Sequence, residues 1–113
     1  INPFEFVRNC LEDGRAEEAS EFMRRHPVHE YNPADQGVFA ALSYMCFVDL
    51  GNEEAADAVL DHLHANVKRA PEMLEFAAEE FLDYALIDEG LELLHALYEA
   101  HPTHLSYALF LAE

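Results

Sequence analysis

GNEEAADAVLDHL, residues 51–63, combines a leading glycine, two acidic residues and an apolar pattern that fits one face of an α-helix. Its apolar residues recur at the i, i+3, i+4, i+7 spacing of an amphipathic helix. They are Ala56, Val59, Leu60 and Leu63. Glycine commonly follows a helix end because it adopts the left-handed backbone conformation without a side-chain clash. The stretch therefore predicts that one helix ends at Gly51 and that a second begins directly after it.

A similar phrase, GRAEEA at residues 14–19, lies 37 residues before GNEEAA at residues 51–56. Each phrase follows a segment that opens with Asn-Pro, at Asn2-Pro3 and at Asn32-Pro33. Asparagine is favoured as a helix N-cap, and proline is favoured at the first helical position. We therefore predict helices from Pro3 to about Asp13 and from Pro33 to about Leu50, each joined by its phrase to a second helix.

The pattern recurs after Pro71, where we predict a helix from about Glu72 to Leu86, a break around Ile87-Asp88 and another amphipathic helix that ends at His101-Pro102. The apolar segment from Thr103 predicts the start of a seventh helix. Strand-like alternation does not compete with this reading. The sequence thus predicts an all-α fold, with residues 1–113 as a single domain of three helical hairpins and a C-terminal capping helix.

The tetrapeptides HPVH (residues 26–29) and HPTH (residues 101–104) are 75 positions apart. Two steps of about 37 residues account for that distance. The repeat therefore predicts that both tetrapeptides occupy equivalent places, each closing a hairpin.

Helix pairs that recur every 30 to 40 residues are typical of α-solenoids, and this chain resembles the tetratricopeptide-repeat family. The third hairpin carries the family pattern most fully, with Leu74, Ala77, Ala78, Phe81, Gly90, Leu94, Leu97 and Pro102. In the second hairpin, Tyr44 stands where the family usually has a small residue. The resemblance implies a short right-handed superhelix whose concave groove binds a protein ligand.

A narrower resemblance covers DGRAEEASEFMRR (residues 13–25) and ADQGVFAALSYM (residues 34–45). These segments are similar to the first repeat and the following helix of small acidic chaperones of bacterial type III secretion. That resemblance implies a cytoplasmic protein that holds translocator subunits before export.

The chain is strongly acidic, with 23 Asp and Glu residues against six Lys and Arg residues and a net charge of −17. Such a surface repels nucleic acid and anionic membranes, so we expect neither as a partner. Only two cysteines occur, Cys10 and Cys46, and both lie in apolar surroundings. This usage favours a reducing cytosol over a disulfide framework. The chain opens at Ile1 rather than Met, which leaves open whether a segment was removed.

Two segments are candidates for partner binding. The resemblance places Val38, Ala41, Met45 and Val48, from a run that is apolar around its whole circumference, on the floor of the groove. On the helix after Pro71, an acidic stripe falls within an arc of about 80°: Glu72, Glu75, Glu79 and Asp83, bordered by Phe76 and Leu82. We expect a partner segment with apolar anchors and Lys or Arg. An ordinary solvated face is the alternative explanation of the stripe.

Two other functions compete with protein binding. Self-association is one, through the apolar C-terminal residues Tyr107, Leu109, Phe110 and Leu111 of two copies. The other is a carboxylate–His metal site built from Asp61-His62-Leu63-His64 and Glu92-Leu93-Leu94-His95. We predict no cofactor, no metal and no catalysis, since the sequence has neither a phosphate-binding glycine loop nor a cysteine in a basic setting.

Overall fold

A computed structural model describes residues 3–26 and 30–103. Over these residues it contains six α-helices and no strand, which confirms the all-α prediction. The helices are α1 Pro3–Glu12, α2 Ala16–Arg24, α3 Pro33–Asp49, α4 Glu53–Ala65, α5 Pro71–Asp83 and α6 Ile87–Ala100. The predicted capping helix, with Tyr107, Leu109, Phe110 and Leu111, lies outside the described residues.

Consecutive helices pair into hairpins because only three residues separate α1 from α2, α3 from α4 and α5 from α6. Turns of this length bring two helices back against each other. Helix α3 is central, since it packs against α1, α2, α4 and α5. Its apolar circumference follows from having neighbours on several sides. The chain continues the stack through α6, which packs on α5.

The first helix of every hairpin ends in the same backbone motif. The amide N–H groups of Arg15, Asn52 and Leu86 each bond back to a carbonyl five residues earlier. The residue before each of them is left-handed: Gly14 and Gly51 have φ of 75°, and Ala85 has φ of 62°. This is the Schellman arrangement, which satisfies the last carbonyls of a helix. The predicted glycine ends at Gly14 and Gly51 are therefore confirmed.

In the third hairpin, the predicted helix boundaries are wrong. We expected the helix after Pro71 to reach Leu86 and to break around Ile87-Asp88, but α5 ends at Asp83 and α6 begins at Ile87. The break was misplaced because an alanine, not a glycine, takes the left-handed position at Ala85. Alanine is a strong helix former, so its residue type gives no signal of a helix end.

The repeat spacing is also uneven. From Gly14 to Gly51 is 37 residues, but from Gly51 to Ala85 is 34. His26 lies just after α2, and His101 directly follows α6. Both tetrapeptides therefore begin after the second helix of a hairpin, as predicted. They lie at different distances from their turns because α2 has nine residues and α6 has fourteen.

Local caps and one close contact position α3. The side chain of Asn32 accepts a hydrogen bond from the Asp35 amide at 2.8 Å, so the predicted cap of this helix is confirmed. Asn2, its counterpart before α1, lies outside the described residues. In the first turns of α3, Gly37 faces the backbone of Met73 so closely that a Cβ at Gly37 would lie 2.1 Å from the Met73 carbonyl oxygen. The absence of a side chain at Gly37 lets α3 and α5 approach each other.

The core runs through all six helices, with Leu42, Leu63, Leu74, Phe81 and Leu97 fully buried. Cys10 and Cys46 are buried free thiols, as their apolar sequence surroundings predicted. Among the residues that the structure describes, no helix combines the length and the apolarity that crossing a membrane requires.

Candidate functional site

A cavity of about 350 Å³ opens where α1, α3 and α5 end. Four parts of the chain line it: Leu11 and Glu12 of α1, Tyr44, Met45, Val48 and Asp49 of α3, Tyr84 and Leu86 of the turn after α5, and Glu89 of α6. Leucine, methionine and valine side chains form an apolar surface, and three carboxylates and two tyrosines surround it. The described residues that line this cavity include neither Lys nor Arg.

An ion pair joins the first hairpin to the third next to this cavity. Arg8 donates from Nε and Nη2 to the two carboxylate oxygens of Glu80, each at 2.8 Å. Arg8 lies one helical turn before Leu11 and Glu12, and Glu80 lies one turn before Tyr84. The pair therefore joins α1 to α5 next to the cavity. Because the guanidinium of Arg8 is already paired with Glu80, it does not neutralise the carboxylates of the cavity.

The electrostatic potential at this end of the molecule is negative for two reasons. The last residue of α1 is Glu12, that of α3 is Asp49 and that of α5 is Asp83, and none of these helices has a basic residue in its last turn. Helix C-termini already carry the negative end of the dipole, so each such carboxylate is unfavourable by roughly 0.3–1 kcal/mol. Two of these three residues, Glu12 and Asp49, line the cavity. A cationic group bound there would be stabilised by both effects.

Tyr44 connects the second hairpin to the third at the cavity wall. Its hydroxyl donates to Glu89 Oε2 at 2.8 Å, and its ring meets Phe81 edge-on with centroids 5.2 Å apart. The pKa of Tyr44 is raised to about 12, mainly by burial and to a smaller extent by the hydrogen bond to Glu89. The large side chain of Tyr44 therefore packs against α5 and orients a cavity carboxylate.

The four predicted floor residues have different environments. Met45 and Val48 both line the cavity, with Val48 50 % exposed and Met45 buried. Ala41, one turn earlier on the same face, is fully buried, and Val38 is half-buried. The expectation that Ala41 is an accessible floor residue is wrong. Because α1 and α5 both pack against α3, only the C-terminal part of this face, at Met45 and Val48, lines the cavity.

The predicted acidic stripe lies on another face of α5. Glu72, Glu79 and Asp83 are exposed and Glu75 is half-buried, while the bordering Phe76 is 40 % exposed and Leu82 is half-buried. None of these six residues lines the cavity. Glu80 and Tyr84, on a different arc of the helix, instead point toward α1 and the cavity. The stripe therefore lies outside the cavity that Met45 and Val48 line.

The histidines that open the two tetrapeptides have structural surroundings, and one histidine of the alternative metal site lies near a carboxylate. His101 Nε2 lies 3.0 Å from the Val67 carbonyl oxygen, which ties the end of α6 to the turn after α4. His26 packs against Phe22, with ring centroids 4.6 Å apart. His64 Nε2 does approach Glu92 Oε1, at 3.6 Å. Within the described part of the chain, no three His, Cys, Asp or Glu side chains are grouped so that they could hold a metal.

Reasoning from the sequence missed the most informative contacts in this site. Arg8 and Glu80 are separated by 72 positions and lie in helices that the sequence pattern alone does not pair. Tyr84 and Leu86 were assigned to a helix rather than to the turn that forms the cavity wall. The available signal was the helical position of Glu80, three residues after Ala77 and four before Tyr84 on the apolar side of the helix, where a buried carboxylate requires a partner.

Comparison of the chain with protein-family models, with curated proteins and with solved structures gave no match.

Proposed function

We propose that this protein is a tetratricopeptide-like binding protein, an adaptor or chaperone, that holds a partner segment at the cavity between α1, α3 and α5. The resemblance noted in the sequence and the three identical hairpin turns support the repeat assignment. The proposed function is binding without catalysis, in a reducing cytoplasm. A secretion chaperone is the more specific form of the proposal.

The observation that carries the proposal is the combination of apolar surface and unneutralised carboxylates in one cavity. Met45, Val48 and Leu86 can receive an apolar side chain, and Glu12 and Asp49 can receive a Lys or Arg of the same segment. A volume of about 350 Å³ is at the lower end of ligand-binding cavities, which suits one or two side chains better than a whole folded surface. The proposed ligand is therefore a short segment with a basic residue close to an apolar anchor.

Selection of random 12-residue peptides displayed on phage tests this proposal without a known partner. We expect enriched peptides to place Lys or Arg within a few positions of Leu, Met or Phe. The affinity of a selected synthetic peptide should fall as salt rises, because exposed charges are screened over about 8–10 Å near physiological ionic strength.

Two double variants with the same change in net charge locate the binding site. Glu12→Gln with Asp49→Asn removes the cavity carboxylates, and Glu75→Gln with Glu79→Gln removes two stripe carboxylates. We expect the first to weaken the peptide by about tenfold at low salt, about 1.4 kcal/mol, and the second to have a much smaller effect. A larger loss of peptide affinity in the stripe variant would show that the peptide binds to the acidic stripe on α5 instead. Equal affinity in both variants and the wild type would contradict the charge argument.

A second pair of variants tests the apolar part of the cavity. Val48→Lys and Phe76→Lys each place a cation on a partly exposed apolar position, 50 % and 40 % exposed respectively. Only Val48 lines the cavity, so we expect only Val48→Lys to prevent peptide binding. Both variants should retain the wild-type circular dichroism spectrum.

A further inference from the structure

A second apolar surface lies on the opposite side of α3, between α2 and α4. A cavity of about 670 Å³ there is bordered by α3, α4 and Met73. An adjoining cavity of about 210 Å³ is bordered by α2 and α3. The two cavities share Phe39, Ser43 and Phe47, so they form one continuous groove. We refer to it as the α2–α4 groove, with Ala58, Val59 and His62 on its α4 side and Arg24 at its α2 end.

This groove differs in charge from the rest of the molecule. About one residue in five of the chain is Asp or Glu, 23 of 113, yet none of the described residues that line the groove is acidic. Its ionisable edge residues include His62 and Arg24, and Arg24 is ion-paired to Glu21 at 2.5 Å. The groove is therefore a surface at which another copy of this acidic chain meets little like-charge repulsion.

The sequence contains one complementary segment. The two longest runs without Asp, Glu, Lys or Arg are residues 36–48 and residues 100–112, each of thirteen residues. The first run forms most of α3 and supplies the floor of the α2–α4 groove. In the second run, the residues beyond Thr103 lie outside the described structure, and Tyr107, Phe110 and Leu111 have the i, i+3, i+4 spacing of one helical face.

We propose that residues 105–112 of one copy bind in the α2–α4 groove of a second copy, and that the second copy returns the same contact. Reciprocal exchange of this kind gives two identical contacts related by a two-fold axis. Both grooves are then filled, so a third copy has no groove to bind. The contact joins two surfaces without carboxylates, so it associates chains that otherwise repel each other at a charge of −17 each. The cavity at the ends of α1, α3 and α5 lies on the other side of α3 and stays available to a ligand.

Sedimentation velocity of the full chain tests the proposal first. The expected species is a dimer of twice the chain mass of 12.9 kDa, and its association should strengthen as salt screens the repulsion between the two acidic chains. Ala58→Glu places a carboxylate in the groove, and Ala65→Glu places the same residue elsewhere on the exposed surface of α4. We expect Ala58→Glu to be monomeric and Ala65→Glu to remain dimeric. A monomeric wild type, including one whose own groove is filled internally, would overturn the proposal.

A complementation experiment distinguishes reciprocal exchange from any other dimer. Phe110→Asp disables the segment and keeps the groove, whereas Ala58→Glu disables the groove and keeps the segment. We expect each variant alone to be monomeric and their mixture to form a heterodimer through the one intact contact, at higher protein concentration than the wild type requires. A dimeric Phe110→Asp variant, or a mixture that stays monomeric at all accessible concentrations, would show that the segment does not bind this groove.

Discussion

Arg8 and Glu80, 72 positions apart in the chain, form a two-point ion pair that joins the first hairpin to the third. Both contacts are 2.8 Å, and the side chain of Glu80 is 7 % exposed while that of Arg8 is 38 % exposed. The hydrogen bond to Glu80 raises the pKa of Arg8 above its ordinary value. The pair thus satisfies a buried carboxylate and ties the first hairpin to the third.

Removal of Arg8 should destabilise the protein because it leaves the Glu80 carboxylate buried without a partner. We expect Arg8→Met to lower the free energy of unfolding by about 2 kcal/mol, less than the 3–5 kcal/mol of a fully buried pair because Arg8 is partly solvated. The double variant Arg8→Met with Glu80→Met should regain most of that loss, since it buries no charge. Urea denaturation measures all three proteins. A double variant as unstable as the single one would mean that packing, not charge, dominates at this position.

The left-handed backbone conformation of Ala85 should destabilise the protein, and glycine at this position should remove that cost. A non-glycine residue in this conformation costs roughly 1–2 kcal/mol, so we expect Ala85→Gly to stabilise the protein by about 1 kcal/mol. Gly51→Ala should do the reverse, by about 1 kcal/mol. A Cβ at Gly51 meets no atom within 4 Å, so its cost comes from the backbone alone. Thermal denaturation of both variants checks the pair, and a loss of stability in Ala85→Gly would contradict the assigned backbone conformation.

Gly37→Ala should be destabilising although alanine favours helix over glycine by about 1 kcal/mol. The added Cβ would lie 2.1 Å from the Met73 carbonyl oxygen, so α3 and α5 must move apart. Overpacking of this kind typically costs about 1–3 kcal/mol, and here the obstacle is backbone rather than a side chain that can rotate. We expect a net loss of about 2 kcal/mol in urea denaturation. A stabilised variant would show that the two helices are not in close contact.

Stability should fall at alkaline pH because the buried Cys46 and the half-buried Tyr44 lose protons more easily in the unfolded chain. Burial, with a further contribution from the Asp49 charge, raises the pKa of Cys46 from 9.0 to about 12, and the pKa of Tyr44 rises from 10.0 to about 12. For a group with a raised folded pKa, the stabilisation is complete below the unfolded value and is lost as pH approaches the folded value. We therefore expect the melting temperature to decline between pH 9 and pH 12.

Tyr44→Phe isolates the tyrosine contribution to this decline. The variant should be less stable than the wild type at neutral pH, by about 1 kcal/mol for the lost hydrogen bond to Glu89, but it should lose less stability above pH 10. Tyr98→Phe is the matched control, because Tyr98 is 39 % exposed. Identical alkaline slopes in wild type and Tyr44→Phe would exclude Tyr44 as a titrating group.

Local sequence determined the helices and most of their ends. Asn32 and Pro33 begin α3, and Gly14 and Gly51 end the first helices of two hairpins, because caps and left-handed glycines act within a few residues of themselves. The apolar spacing of α4 likewise predicted its core side, where Ala56 and Leu63 are buried. These features need no information from distant parts of the chain.

Tertiary structure decided the third turn, the accessible part of α3 and the composition of the cavity. Ala85 takes a left-handed conformation that its residue type opposes, with Leu86 packed against the core beside it. Ala41 is buried while Val48 remains exposed on the same helix, because neighbouring helices cover α3 unevenly. The Arg8–Glu80 pair depends on α1 and α5 both packing against α3, which brings the two side chains within reach of each other. Periodicity along one helix identifies a face, but only the packing of the other helices determines whether that face is covered, paired or open to a ligand.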